Sequence, residues 1–245
     1  MTSAQVGKTE TFLNNPVGYF IAQDPSPILV IQPTLEMAQT WSKDRFAPML
    51  RDSPALKDLV QDPRARSSNN TILHKTFAGG HITMAGANSA SSLASRPIRI
   101  VFLDEVDRFP TSAGTEGDPV SLAKKRTTTF WNRKIIMTST PTVKGASRIE
   151  QAFLESDQRK YYVPCPKCGE YQILMWSNIR WDQDENQKHL PDTAHYVCDH
   201  CEYKMKESDK SRLLLGGEWR ATEESNGIAG FWINEIYSPW VSWSE

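Results

Sequence analysis

The sequence predicts an α/β fold with a mostly parallel sheet, followed by a small β module gathered around cysteines. Three observations carry that prediction. The apolar runs are short, rich in β-branched residues and separated by helix-like polar stretches. One of them, Ile98–Leu103, is apolar at nearly every position, as a strand covered on both faces must be. All four cysteines of the 245-residue chain fall in one window, at Cys165, Cys168, Cys198 and Cys201.

Taken in order, Ile28–Ile31 is a strand that ends in the turn Gln32-Pro33-Thr34. Leu35 to Leu50 then reads as a helix, with Leu35, Met37, Ala38, Trp41, Phe46 and Met49 facing the core and Pro48 disturbing its last turn. His81–Gly86 is a strand that runs into a loop of Gly, Asn, Ser and Ala. Ile98–Leu103 and Ile135–Met137 complete the set of parallel strands. Near Tyr161 the character changes to close-spaced turns, charges and the cysteines. The expected division is therefore an α/β core over 1–160, the cysteine module over 161–210, and a return segment over 211–245. That last stretch carries Trp219, Trp232, Trp240 and Trp243 and is expected to pack back on the core.

Composition narrows the classes. With 39% hydrophobic and 23% charged residues, the chain is neither disordered throughout nor a coiled coil. No apolar run approaches the roughly 18–20 residues of a membrane span, and the first residues lack a basic-then-apolar leader, so the expectation is a cytoplasmic protein with no membrane partner. The net charge of −1 is uneven. Residues 1–160 hold 20 basic and 15 acidic side chains, and 161–245 hold 8 and 14. A mildly basic first part is compatible with a polyanion such as nucleotide or DNA.

Four motifs carry chemistry. Gly7-Lys8-Thr9 is the end of a phosphate-binding loop. Glycine lets backbone N–H groups turn onto phosphates, lysine reaches the β- and γ-phosphates, and the threonine hydroxyl ligates Mg²⁺. A helix from about Thr9 to Leu13 aims its N-terminus at the anion. The position five before Gly7 is Thr2 rather than the usual glycine, and three such residues in a row also occur in ordinary surface turns. The second motif, Asp104-Glu105 after the apolar strand, places two carboxylates at the carboxyl edge of a parallel sheet. Asp104 would hold Mg²⁺ through water and Glu105 would polarise the water that attacks ATP; Asp107 reads as structural. Third, Thr138-Ser139-Thr140 ends a strand in hydroxyls able to sense a γ-phosphate, or simply to cap a turn. Fourth, Cys165-Pro-Lys-Cys168 and Cys198-Asp-His-Cys201 are two CxxC knuckles whose four thiolates fill a tetrahedral Zn²⁺ site. Gly169 supplies the positive φ needed past the first knuckle, and His195 and His200 read as spectators. These motifs sharpen the fold to a P-loop NTPase core with a zinc-ribbon module, and the cofactors to ATP, Mg²⁺ and Zn²⁺.

Together and in this order, Gln5–Glu10, Gln32-Pro33-Thr34, Leu93–Pro97, Val101–Arg108, Thr138–Thr142, the Cys-Pro-Lys-Cys-Gly knuckle and Gly230–Trp240 resemble the ATPase part of the large terminase subunit of tailed phages, the lambda-like GpA type. The resemblance implies a motor. Copies would form a ring on the portal protein of a procapsid in the host cytoplasm, work with a small terminase subunit, and hydrolyse ATP to drive double-stranded DNA inside. A separate nuclease domain of the full-length proteins would cut the DNA as an endonuclease. By motif, Gly7, Lys8 and Thr9 would bind nucleotide and metal, Asp104 Mg²⁺, Glu105 would be catalytic, and Thr138, Ser139 and Thr140 would couple hydrolysis to movement.

The motifs also depart from the family pattern at three places. The strand that feeds the phosphate loop is expected to be missing, which leaves Met1–Ala4 loosely held. The loop reads Ala4-Gln5-Val6 where many terminases carry an arginine, so that charge would come from Arg96, Arg126, Arg133 or a neighbouring subunit. The nuclease domain is expected to be absent. The competing readings are a helicase-like DNA-dependent ATPase and a non-catalytic zinc-ribbon remnant of a prophage gene.

Overall fold

The computed structural model describes residues 1–60, 70–94 and 96–245. Ser95 of the Leu93–Pro97 motif lies outside the described residues. The chain divides into two compact units, one of residues 8–139 and one of residues 1–7 with 140–245. The strand Arg159–Pro164 runs through residue 160 and pairs with Glu218–Arg220 and Phe231–Trp232 beyond residue 210.

The 8–139 unit is built on a five-stranded sheet. Its strands are β1 (Pro27–Gln32), β2 (His74–Phe77), β3 (Gly80–Gly86), β4 (Ile100–Asp104) and β5 (Lys134–Thr138), in the order β2-β3-β1-β4-β5. β3, β1, β4 and β5 run parallel, while β2 is antiparallel to β3. All five residues of β4 are buried. Ile28, Val30, Ile82, Met84, Ile100 and Phe102 share one cluster with Leu13, Val17, Ile21, Trp41 and Phe46. Leu29, Ile31, Val101 and Leu103, on the opposite face, are buried too. Sheets covered on both sides need crossovers, and helices α4 (Ala90–Ala94) and α5 (Pro119–Lys125) lie in the connections into β4 and β5. At the amino end of β4, Arg99 donates to both carboxylate oxygens of Asp24, at 2.7 and 2.6 Å.

Two helices depart from regular winding. The first starts at Lys8 and Thr9, passes through a π-turn at Glu10–Asn14 and continues as α1 (Asn15–Ala22). The second comprises α2 (Leu35–Trp41), a π-turn at Ser42–Phe46 and α3 (Ala47–Asp52). Thr34 caps α2 by accepting from the Met37 N–H. Pro48 directly follows the π-turn, in the first residues of α3, and the helix runs on past it to Asp52. The extra residue in the second π-turn shifts the faces of α2 and α3 relative to one another. Ala38, Trp41 and Phe46 are buried as expected, but Leu35 and Met37 are exposed.

The other unit holds β6 (Arg159–Pro164), paired with β7 (Tyr171–Ile173), β11 (Glu218–Arg220) and β12 (Phe231–Trp232), and a second sheet of β8 (Ile179–Gln183), β9 (His189–Val197) and β10 (Lys204–Met205). Helices α6 (Arg148–Leu154) and α7 (Lys210–Leu215) complete it. Its core contains Val163, Leu174, Ile179, Tyr196, Met205, Leu213, Tyr237 and Trp243. The buried phenols are satisfied: Tyr196 donates to the Ile173 carbonyl, and Tyr237 donates to the Tyr161 carbonyl and accepts from the Leu174 N–H. Burial pushes the Tyr196 hydroxyl up to about 12. The first residues are tied down here rather than loose. The Met1 amine donates to Phe231 O, Ser3 N–H to Ile233 O, Ile233 N–H to Met1 O and the Ser238 hydroxyl to Gln5 O.

Phe102 lies in the middle of the doubly covered strand. Phe102→Ala is expected to lower unfolding free energy by about 3–5 kcal/mol, while exposed Lys134→Ala moves it by less than about 0.5. Urea denaturation of both variants checks the difference.

Candidate active site and metal centre

The polar cluster of the 8–139 unit forms where β1, β4 and β5 reach their carboxyl ends. Asp104 is the last residue of β4 and only 8% exposed. Its Oδ1 accepts from the Thr138 hydroxyl at 2.7 Å and its Oδ2 from the Gln32 amide at 3.0 Å. Thr138 stands opposite Asp104 in the β4–β5 register, and Gln32 comes next after the Ile31–Leu103 pair on the other side. A carboxylate at a buried strand end is thus gripped by one neutral donor from each neighbouring strand. Gln32 is the residue that motif reasoning passed over. A lone amide ending a fully buried strand was the available signal.

Glu105 turns away from the sheet. Its φ of +55° lies in the left-handed region, uncommon for a residue with a Cβ, and it leads into a short 3₁₀ turn at Val106–Arg108. The carboxylate meets the Lys8 ammonium in an ion pair with side chains 13% and 16% exposed. Ser139 donates to the other Glu105 oxygen at 3.4 Å and accepts from the Asp107 N–H at 3.3 Å. Asp107 therefore contributes its backbone here.

Thr9 and Asp104 share a cavity of about 460 Å³, whose other walls are Gln32, Glu36, Met37, Thr40, Trp41, Asp44 and Arg45. A hydroxyl and a carboxylate on one cavity wall are the oxygen donors that Mg²⁺ takes, so this donor set fits the ion. The structure thus brings Lys8, Thr9, Asp104, Glu105, Thr138 and Ser139 into one unit. Gly7 and Thr140 belong to the other unit. Gly7 has φ +77°, a backbone conformation that favours glycine, and a Cβ there would make a tight 3.1 Å contact with the Trp240 ring. Arg126 and Arg133 stand at the other end of the sheet from the cluster. The Arg126 carbonyl accepts from Ile98 N–H and Arg133 precedes the first residue of β5, so both mark the amino end of the sheet. Arg96 precedes β4 at that same end.

In the 140–245 unit the four cysteines converge. Their Sγ atoms all lie within 4.8 Å of one another, with Cys165–Cys201 at 3.8 Å and Cys168–Cys198 at 3.9 Å. These are far beyond a disulfide bond of about 2.0 Å. They match the edge of about 3.8 Å in a sulfur tetrahedron with metal–sulfur bonds of about 2.3 Å. The two knuckles have the same build. Gly169 and Glu202, each four residues past the first cysteine of its pair, both take positive φ, at +77° and +56°. Each donates its N–H to that cysteine's carbonyl. Burial opposes ionisation of Cys198, yet the His200 and Cys201 N–H groups and the neighbouring thiols outweigh it and bring this thiol down to about 7. Neither His195 nor His200 belongs to the cluster.

A model of the family "Phage terminase large subunit gpA, ATPase domain" matches residues 1–219. The large terminase subunit of Enterobacteria phage P21 is 32% identical over 227 residues, covering 89% of this chain and 34% of that protein. That of Escherichia phage lambda is 30% identical over 266 aligned positions, covering 98% and 41%. The chain thus spans about a third to two fifths of the length of these curated relatives. Among solved structures, the large-terminase ATPase domain of Thermus phage P74-26 is 18% identical with a TM-score of 0.44, over 71% of this chain and 70% of that one.

The grip on Asp104 can be tested without any activity. Thr138→Val keeps the shape of the side chain but strips Oδ1 of its donor, which is expected to cost about 1–3 kcal/mol of stability. Chemical denaturation should show this loss, and a much smaller one for Thr128→Val on the exposed turn after α5.

Proposed function

The chain belongs to the gpA ATPase-domain family of phage terminase large subunits, and on that premise we propose that it hydrolyses ATP as the motor that moves double-stranded DNA into a procapsid. The observation that carries this reading is the meeting of Lys8 with Glu105 beside Asp104, across 97 residues of sequence. A helix start and a strand end supply a phosphate-binding cation and two carboxylates at one place.

The roles come from position. Lys8, with the N–H groups that open its helix, binds the β- and γ-phosphates. Thr9 and Asp104 would hold Mg²⁺, which would supply positive charge to offset that of the phosphates. Glu105 orients a water molecule. The water oxygen forms a bond to the γ-phosphorus as the bond to the ADP oxygen breaks, and a water proton passes to Glu105 and on to solvent. The products are ADP, inorganic phosphate and a proton. Thr138 and Ser139 touch the two carboxylates, and Ser139 leads directly into Thr140 at the start of the other unit. Movement of Asp104 or Glu105 when the γ-phosphate leaves would be felt first at this strand end. The four cysteines hold one structural Zn²⁺, around which residues 161–210 fold as a zinc ribbon.

The same reading supplies partners: double-stranded DNA, a small terminase subunit, the portal protein and further copies of the chain in a ring, in the host cytoplasm. No helix among the described residues is long and apolar enough to cross a membrane. Endonuclease activity is assigned to no residue here.

Three measurements test the proposal. ATP turnover should rise when double-stranded DNA is added; absence of any turnover with Mg²⁺ would sink the motor reading. Glu105→Gln should abolish turnover and leave nucleotide affinity within about threefold, whereas Lys8→Ala should weaken binding itself. Metal analysis of reduced protein should give one zinc per chain, falling below about half an equivalent in Cys198→Ser.

A further inference from the structure

The proposed hydrolysis leaves a charge unaccounted for. Its transition state spreads negative charge over the γ-phosphoryl oxygens, and related enzymes meet it with a guanidinium. The loop ahead of Lys8 has none, and Arg96, Arg126 and Arg133 mark the opposite end of the sheet. We infer that Arg45 is the catalytic arginine of this site, contacting the γ-phosphoryl group from the far wall of the cavity that Thr9 and Asp104 share.

The helix shows how Arg45 comes to be there. In an unbroken α-helix residue 45 would repeat the face of Ala38, seven positions earlier, and point into the core. Ala38 is fully buried. The π-turn at Ser42–Phe46 inserts one residue, and Phe46 takes the core position instead. Its ring stacks on Trp41, five residues before, with centroids 5.2 Å apart and planes 14° from parallel. Arg45 is thereby carried out of the core to the cavity wall. Single π-turns of this kind recur at functional sites because they re-aim side chains.

The surroundings suit the role. Among the described residues no hydrogen bond or ion pair holds the Arg45 guanidinium. The Lys8 ammonium, by contrast, is already paired with Glu105. The cavity also places Glu36 and Asp44 near Arg45. With Asp104 these exposed carboxylates make the cavity acidic, and a phosphoryl group beside them would need cationic partners such as Mg²⁺ and the guanidinium. An arginine reaches two phosphoryl oxygens at once through its planar fork, which lysine cannot do.

The inference rests on the hydrolysis reading, and the test separates the two. Wild type, Arg45→Ala and Arg45→Lys are compared in ATP turnover and in calorimetric binding of Mg²⁺-ADP with and without fluoroaluminate, the mimic of the transferring phosphoryl group. Arg51→Ala, an exposed residue paired with Asp52 on α3, controls for surface charge. Arg45→Ala is expected to lower kcat by about 10²–10³-fold, leave Mg²⁺-ADP affinity within about threefold, and lose fluoroaluminate affinity in proportion to kcat. Arg45→Lys should recover less than a tenth of the loss. An active wild type with turnover and fluoroaluminate binding unchanged in Arg45→Ala overturns this inference alone. A wild type that neither turns over ATP nor binds the fluoroaluminate complex overturns the hydrolysis reading and this inference with it.

Discussion

The buried carboxylate of Asp104 sets the terms for the rest of the 8–139 unit. A carboxyl group this enclosed loses most of its hydration, which is costly unless polar partners replace it. Both partners come from neighbouring strands, Gln32 ending β1 and Thr138 ending β5. The register of three parallel strands is therefore tied to one side chain. A one-residue slip of β5 would turn Thr138 to the other face and leave Oδ1 without a donor. The hydrophobic layers beneath allow that register, since β4 is apolar from Ile100 to Leu103. The polar end selects it.

The two π-turns solve a related problem of direction. The helix that begins at Lys8 must present its first residues to the carboxyl edge of the sheet and also bury Leu13, Val17 and Ile21. The Glu10–Asn14 turn lets it do both. Asn14 joins the two irregular helices: its amide donates to Glu10 and its oxygen accepts from the Trp41 indole at 2.9 Å. Trp41 in turn stacks on Phe46, which anchors the second π-turn. Two wound-out turns thus meet through one buried hydrogen bond beside the cavity. Packing rather than helix propensity keeps them irregular, because an ordinary α-turn would withdraw Phe46 from the core.

How much the sequence revealed depends on how locally each feature is encoded. β1, β3, β4 and β5 were legible because unbroken apolar runs of this length have few other uses. The knuckles were legible because two CxxC pairs so spaced match a tetrahedral site. β2 was missed: His74-Lys75-Thr76-Phe77 is short and half polar, and only its pairing with β3 makes it a strand. The π-turns were missed because 3.6-residue periodicity assumes regular winding; the same periodicity puts Leu35 and Met37 in the core, where α2 leaves them exposed. The hold on Met1–Gly7 was missed because its partners lie some 230 residues away. Of the site, Lys8, Thr9, Asp104 and Glu105 could be named from motifs. Gln32 could not be given its task, since a hydrogen bond between two strands leaves no local pattern.

The Lys8–Glu105 pair gives the proposed reaction an order. Lys8 and Glu105, to which the proposal gives phosphate binding and water orientation, neutralise each other in an ion pair, and Ser139 donates to the second carboxylate oxygen. In that state Glu105 is a poor acceptor for water, because one oxygen is already committed to an ammonium. Phosphates that arrive with Mg²⁺ compete for Lys8 with more charge than a single carboxylate can offer, so the pair opens in favour of the nucleotide. Glu105 is then released at the moment its substrate is in place. Its left-handed backbone, which costs about 1–2 kcal/mol in a residue with a Cβ, keeps the freed carboxylate outside the sheet. One strand end thus carries two neighbouring acids in different settings, the first held by neutral donors from both neighbouring strands and the second paired with the lysine that, in the proposed reaction, the phosphates would take.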